Sequence, residues 1–384
     1  MSFHTPWTGS KHMNTMCKLC TVPAVLVLCM ICSNGSLAQS EPLQIPFEEE
    51  WRESGHSRAW EESFLERYDG EPVADGKVPK DCARCHSTAG FHDFLGVDGS
   101  EPNEVDGPVD QRNGIACVAC HNLTLLEIEE VTFPSGMSVE VFTPDARCMV
   151  CHQGRESANS INQLLEDAGV DDDVLSDRLD YIDGHYVTAA TRFGSESGGG
   201  YEYSGKEYEG FYFHDEDSSL CIDCHSLHTE KVEVPSCDSC HLKVKEPKNY
   251  RSVRKTKADW DGDGNVKEGI GREIAALKNR LFKAILLYAK SVAGSPMVYD
   301  RETFPYFFND TDGNGKANDS EVNTDNRYQH WTPRLVRSVY NLQYVNMDPG
   351  AYVHNPFYAA QLLHDSLADL AGKVSVDMSG MERP

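Results

Sequence analysis

The pentapeptide Cys-x-x-Cys-His occurs five times: Cys82-Ala-Arg-Cys85-His86, Cys117-Val-Ala-Cys120-His121, Cys148-Met-Val-Cys151-His152, Cys221-Ile-Asp-Cys224-His225 and Cys237-Asp-Ser-Cys240-His241. Two thiols at this spacing can add to the two vinyl groups of one porphyrin, and the histidine that follows then lies beneath the iron as its proximal ligand. Zinc knuckles and paired disulfides also use Cys-x-x-Cys, but neither needs a histidine directly after every second cysteine. The pattern is the attachment signature of c-type haem, and five regular copies predict five covalent haems.

Cysteine usage agrees. Of fourteen cysteines, Cys17, Cys20, Cys29 and Cys32 precede residue 39, and the remaining ten fill the five motifs. No thiol is left for a disulfide or a catalytic nucleophile. Residues 1–38 carry Lys11 and Lys18, an apolar run from Val22 to Cys32, and Ser36-Leu37-Ala38. These are the charged, apolar and small-residue parts of a secretory signal peptide cleaved after Ala38, with a core too short to span a bilayer. Large residues before Cys29 and Cys32 (Leu28 and Ile31) disfavour a lipid anchor there. A periplasmic or secreted location is expected.

The formal net charge is -26, and loss of the leader removes only cations. Such a field repels nucleic acid and anionic lipid and favours positively charged or metal-bearing partners. The partners expected are redox proteins or extracellular electron acceptors, with no nucleic acid and no membrane insertion.

In chain order, residues 39–80 read as an N-terminal helical segment in which His56, Trp60, Phe64 and Tyr68 share one face. Residues 81–245 form the haem-binding region. Within it, Val131 to Val141 alternates around Ser135-Gly136 and predicts a small hairpin. Ile161, Leu164, Leu165 and Ala168 predict a helix ended by Gly169, and a second helix is expected to carry His185 and Tyr186 with Ala189 and Ala190. Gly198 to Tyr208 suggests another hairpin, leading to His214. Residues 246–384 lack cysteine and read as a helical C-terminal domain, with helices through Ile274 to Tyr288, Leu335 to Leu342 and Pro356 to Leu370. For the last, Asn355 is the expected N-cap, Pro356 the first residue and Gly372 the residue past the end. The fold class expected is mainly α with much irregular loop and a few short β-hairpins.

Two calcium-like loops lie in the C-terminal part. Asp310, Asp312, Asn314, Lys316, Asn318 and Glu321 occupy the ligand positions of a 12-residue EF-hand loop, with Gly315 at its turn. Asp259, Asp261, Asp263 and Asn265 start a second one equally well, but Ile270 stands where the closing glutamate belongs, so Glu268 or Glu273 would have to substitute. One or two structural Ca2+ ions are expected.

Beyond the five proximal histidines, eight follow the leader: His56, His92, His185, His214, His228, His330, His354 and His364. They suffice for two histidines on every iron, with Met137, Met297 and Met347 as possible exceptions. His92 is either a ligand or a loop histidine. His228 stands three residues after His225, and three residues reach roughly 11 Å at most. It cannot readily round the porphyrin to the opposite side of its own iron, so it is expected to serve a different haem.

Cys148 to Ser157, His185-Tyr186 with Arg192-Phe193-Gly194, Gly199 to Tyr203, and Cys221-x-x-Cys-His-x-x-His-Thr229 together resemble exported multihaem c-type cytochromes of metal-reducing and related bacteria. Asp261 to Asn265, Trp331 to Leu335 and Asp348 to Asn355 continue the likeness. The Cys-His-x-x-His element is also similar to that of extracellular cytochrome filaments. The resemblance implies electron transfer without catalysis, possible homo-polymerisation, and a distal ligand set of His56, His185, His214, His228 and His354. It leaves His330 and His364 as surface or core residues. The competing expectation is a multihaem reductase or oxidase of small nitrogen or sulfur compounds, which would need one iron with an open position.

Overall fold

The computed structural model describes residues 44–58, 77–110, 114–216, 218–233 and 235–384. The expected signal peptide and the positions of Trp60, Phe64 and Tyr68 lie outside them. Residues Phe47–Pro384 form one compact unit, mainly α with long irregular connections and, among the described residues, three two-stranded antiparallel pairs.

The longest helix, Ile270–Ser291, places Ile270, Ile274, Leu277, Leu281, Ile285 and Tyr288 on one buried face at three- and four-residue spacing. That face packs on the helices Pro333–Asn346 and Pro356–Ala371. Each leucine or isoleucine fully buried there contributes roughly 1.5–3 kcal/mol. The Pro356–Ala371 helix starts as its sequence requires: the Asn355 side chain accepts from the Tyr358 amide at 3.0 Å, and Pro356 needs no donor at the first position.

Pro333–Asn346 is buried on every side from Pro333 to Val345. Its polar residues are therefore paired inside the protein. Arg334 and Arg337 meet Asp172 and Asp369, and Asn341 exchanges two hydrogen bonds with the backbone of Tyr201 at 2.8 and 2.9 Å. The core runs continuously from Phe91 to Val374, crossing the 245/246 division that the cysteine distribution suggests.

The hairpin near Ser135-Gly136 pairs Val131 with Val139, both buried, and Gly136 turns it at φ 82°. The Ala158–Ala168 helix ends on Gly169 at φ 61°. Two expectations are corrected. His185 and Tyr186 precede the helix Thr188–Phe193 and lie in a loop, with φ of 50° and 32°. Residues 198–208 form no strand pair, because side chains of two helices hold the backbone there and just beyond it: Tyr358 Oη accepts from Gly200, Asn341 binds Tyr201, and Gln361 accepts from Glu209 directly after the stretch. A hairpin with no sequence expectation joins Met297–Tyr299 to Phe307–Asn309.

Candidate haem sites

Each motif sits on a short helix or helical turn. Lys80–His86 carries the first, Cys117–Cys120 the second, Thr143–His152 the third, Cys221–Cys224 the fourth and Pro235–Asp238 the start of the fifth. One turn of helix brings the two cysteines to one side and leaves the following imidazole free to project from the end. None of the ten motif cysteines is in a disulfide.

Opposite every motif histidine stands a second imidazole from a distant part of the chain. His86 faces His185 with ring centroids 6.0 Å apart, and His152 faces His56 at 6.2 Å. His121 faces His228 at 6.3 Å, His225 faces His354 at 6.4 Å, and His241 faces His214 at 6.1 Å. An iron held by two imidazole nitrogens at about 2 Å, the usual metal–imidazole length, sets ring centres roughly 6 Å apart. The five gaps fit that requirement. Apolar side chains left bare beside the motifs fit a porphyrin as well: Leu123 is 79% exposed, Leu227 61% and Leu242 75%, each within two residues of a motif histidine. Large exposed apolar groups clustered in this way mark a surface meant to be covered.

His228 thus faces His121 rather than His225 of its own motif. Phe47 stacks on its ring at 4.5 Å and 5°. His92 bonds the Val118 carbonyl at 3.0 Å, His364 lies against Asp365, and exposed His330 packs beside Tyr328. Met297 is buried in its strand and Met347 packs on the core, while Met137 is exposed at the hairpin turn.

On three of these rings Nδ1 has a partner of its own. His225 Nδ1 contacts the Glu230 carbonyl at 2.9 Å, His56 Nδ1 the Glu230 carboxylate at 3.0 Å, and His354 Nδ1 both Asp348 oxygens at 2.8 and 2.9 Å. Fixing Nδ1 leaves Nε2 as the available metal ligand. Burial holds His86 and His152 neutral, down at about 4, helped by the charge of the facing imidazoles. Burial would also lower His354 and His56, but Asp348 and Glu230 keep both above the ordinary histidine value.

Neighbouring motifs touch through their cysteines. Cys85 Sγ lies 3.8 Å from the Cys151 carbonyl and Cys151 Sγ 3.8 Å from the Arg84 carbonyl. The helix of the third motif also packs on that of the fourth, where Asp145 accepts from the Cys221 amide at 2.8 Å. The third motif therefore sits between the first and the fourth. The roles of Asp348 and Glu230 had no sequence signal, since both stand among many other acids.

The acidic loops share one construction. Asp310 accepts from the Gly313 and Gly315 amides, and Asp259 from Gly262 and Gly264. All four glycines have φ between 72° and 83°, a region that disfavours side chains. Glu321 caps the amides of Thr311 and Asp312, and Glu273 caps those of Trp260 and Asp261. Asp310, Asp312 and Glu321 bring carboxylate oxygens within 4.8 Å of one another, as do Asp259 with Asp261 and Asp263, and Asp261 with Glu268 and Glu273. Asn318 joins Glu321 at 2.6 Å and Asn314 joins Asp312 at 2.6 Å. Lys316 and Asn265 contribute main-chain amides to the turns.

Five attachment motifs, each with a facing imidazole, are the arrangement that a multihaem c-type cytochrome needs. The comparisons agree. The family model for cytochrome c554 and c-prime matches residues 45–122. The chain is 25% identical over 344 residues to the C-type polyheme cytochrome OmcC of Geobacter sulfurreducens, covering 74% of this chain and 42% of that protein. It is 22% identical over 342 residues to OmcB of the same species, covering 74% and 43%. The chain thus spans less than half the length of the curated relatives it matches. No solved structure gives a significant match.

Proposed function

We propose that this cytochrome carries electrons along five covalently bound haems, each with two histidine ligands, in the periplasm or outside the cell. The observation that carries the reading is the set of five ring pairs at 6.0–6.4 Å. When bound, the haems supply one-electron exchange at iron. His86, His121, His152, His225 and His241 are the proximal ligands, and His185, His228, His56, His354 and His214 the respective distal ones. The ten motif cysteines tether the porphyrins. With both axial positions filled by the chain, no iron is left to bind a substrate, which argues against the reductase or oxidase alternative. Every motif histidine also finds its partner within the chain, which favours a discrete carrier over a polymer that completes its ligands from a neighbour. No helix among the described residues is long and apolar enough to cross a membrane. Export is supported by the leader pattern, and the acidic surface suits positively charged redox proteins or metal-bearing acceptors.

Electron paramagnetic resonance of the oxidised protein, with haem quantified by mass, tests this. Five haems and wholly low-spin iron are expected. The spectrum should mix two kinds of low-spin signal. His121/His228 are near parallel at 10°, which splits the iron dπ orbitals and gives a rhombic signal, whereas His86/His185 at 60° and His214/His241 at 70° leave them nearly degenerate. High-spin iron, or carbon monoxide binding to the reduced protein, would instead support an enzyme with an open haem.

For Asp310, Asp312, Asn314, Lys316, Asn318 and Glu321 the proposed ligand is Ca2+, since oxygens within 4.8 Å of one another can share an ion at 2.3–2.6 Å. In the second loop Arg254 already compensates Glu273, so weaker binding is expected there. An ion at about 100 times its Kd stabilises by about 2.7 kcal/mol. A chelator should lower the melting temperature accordingly, and Asp310→Asn should remove the response.

A further inference from the structure

We propose that Asp348 and Glu230 are positioning residues that hold the distal ligands His354 and His56 and set the two haems of the third and fourth motifs at lower reduction potentials than the other three. The inference rests on the bis-histidine reading above. Asp348 has a fully buried side chain, and both its oxygens lie within 2.9 Å of His354 Nδ1. Its other donors are neutral: the Gly350 amide at 3.0 Å and Thr188 Oγ1 at 3.5 Å. Among the described residues no lysine or arginine pairs with it. Its only charge-assisted hydrogen bond among the described residues is therefore the one to His354, in a low-dielectric setting where a hydrogen bond is electrostatically strong. A carboxylate on Nδ1 makes the ligand more basic, and a more basic ligand favours the iron state with the extra positive charge.

Glu230 does the same for His56 at 3.0 Å, but its side chain is 31% exposed and solvent weakens its effect. The remaining distal histidines lack such a partner. Asp183 stands 3.7 Å from His185 Nδ1, too far for a hydrogen bond. Among the described residues neither His214 nor His228 forms an ion pair with a carboxylate.

Glu230 also joins the two sites. Its φ of 54° lets the carboxylate reach His56 while the carbonyl reaches His225 at 2.9 Å. Asp145, one turn before Cys148, accepts from the Cys221 amide at 2.8 Å. The two carboxylate-backed sites are therefore neighbours, the last pair in the array to be reduced.

The test is a spectro-electrochemical titration of the full chain carrying its haems. In Asp348→Asn, which keeps an oxygen for the Gly350 amide, one component should shift toward the reduced form by about tenfold in its equilibrium, about 59 mV upward. Haem content should stay unchanged and all iron low-spin. Glu230→Gln should shift a different component by less, Asp348→Glu should retain the low potential, and Asp183→Asn, whose carboxylate makes no hydrogen bond to the His185 ring, should shift its component less than Asp348→Asn does. Unshifted curves in Asp348→Asn and Glu230→Gln with five low-spin haems would overturn the inference. High-spin iron in the unaltered protein would overturn the bis-histidine reading instead. Should Asp348→Asn fail to fold, the more exposed Glu230→Gln decides between the same two outcomes.

Discussion

His228→Ala is expected to keep every thioether bond and to turn one iron in five high-spin. The altered iron should be that of Cys117, Cys120 and His121, because the His228 ring faces His121 at 6.3 Å while His225 faces His354. Half-buried His228 is supported by a flat stack on Phe47, so its loss removes little packing and the fold should persist. The signature is specific. The His121/His228 pair lies nearest to parallel at 10°, so its own rhombic low-spin component should be lost while the components of the other four pairs, crossed at 31° to 70°, remain. Carbon monoxide should then bind the reduced variant at about one fifth of its iron. A wholly low-spin spectrum in the variant would show that His228 holds no iron. Loss of a different signal would assign it to another site.

How far such a site can be read without coordinates depends on which interactions are local. The motifs are local, and so are the helices whose buried face repeats at three and four residues, as in Ile270–Ser291 and Ala158–Ala168. In Pro333–Asn346 the polar residues Arg334, Arg337, Ser338 and Asn341 recur at three- and four-residue spacing like a solvent face, yet the fold buries them, since their partners Asp172, Tyr201 and Asp369 are remote in sequence. The expected hairpin at 198–208 failed for a related reason. Alternating aromatics look like a strand, but Tyr358, Gln361 and Asn341, more than 130 residues later, take the backbone hydrogen bonds a partner strand would have taken. The alanines after His185 suggest a helix that includes it, but it stands in a positive-φ loop that carries its ring to His86. Chain reach could say only that His228 does not serve its own motif. Its partner His121 lies 107 residues earlier, and no periodicity links them.

Glu273→Ala should be the costliest single substitution in the helical part of the protein, about 3–5 kcal/mol, the range for breaking a buried ion pair by removing one partner. Glu273 is fully buried and pairs with Arg254, whose side chain is 7% exposed. Its other oxygen accepts from the Trp260 amide at 2.9 Å and the Asp261 amide at 3.1 Å. Alanine would strand a guanidinium in the interior and leave two amides without acceptors. Glu273→Gln keeps an oxygen for those amides and should cost less. Glu321 gives the decisive comparison, since it caps Thr311 and Asp312 in the same way but has no buried cation behind it. Glu321→Ala should therefore destabilise the calcium-free protein less than Glu273→Ala does, yet abolish more of the stabilisation by calcium. Urea unfolding followed by circular dichroism, with and without calcium, separates the two roles. Equal costs in the absence of calcium would mean that Arg254 finds other compensation, and its bonds to the carbonyls of Thr256, Ala258 and Glu268 are the ones that could supply it.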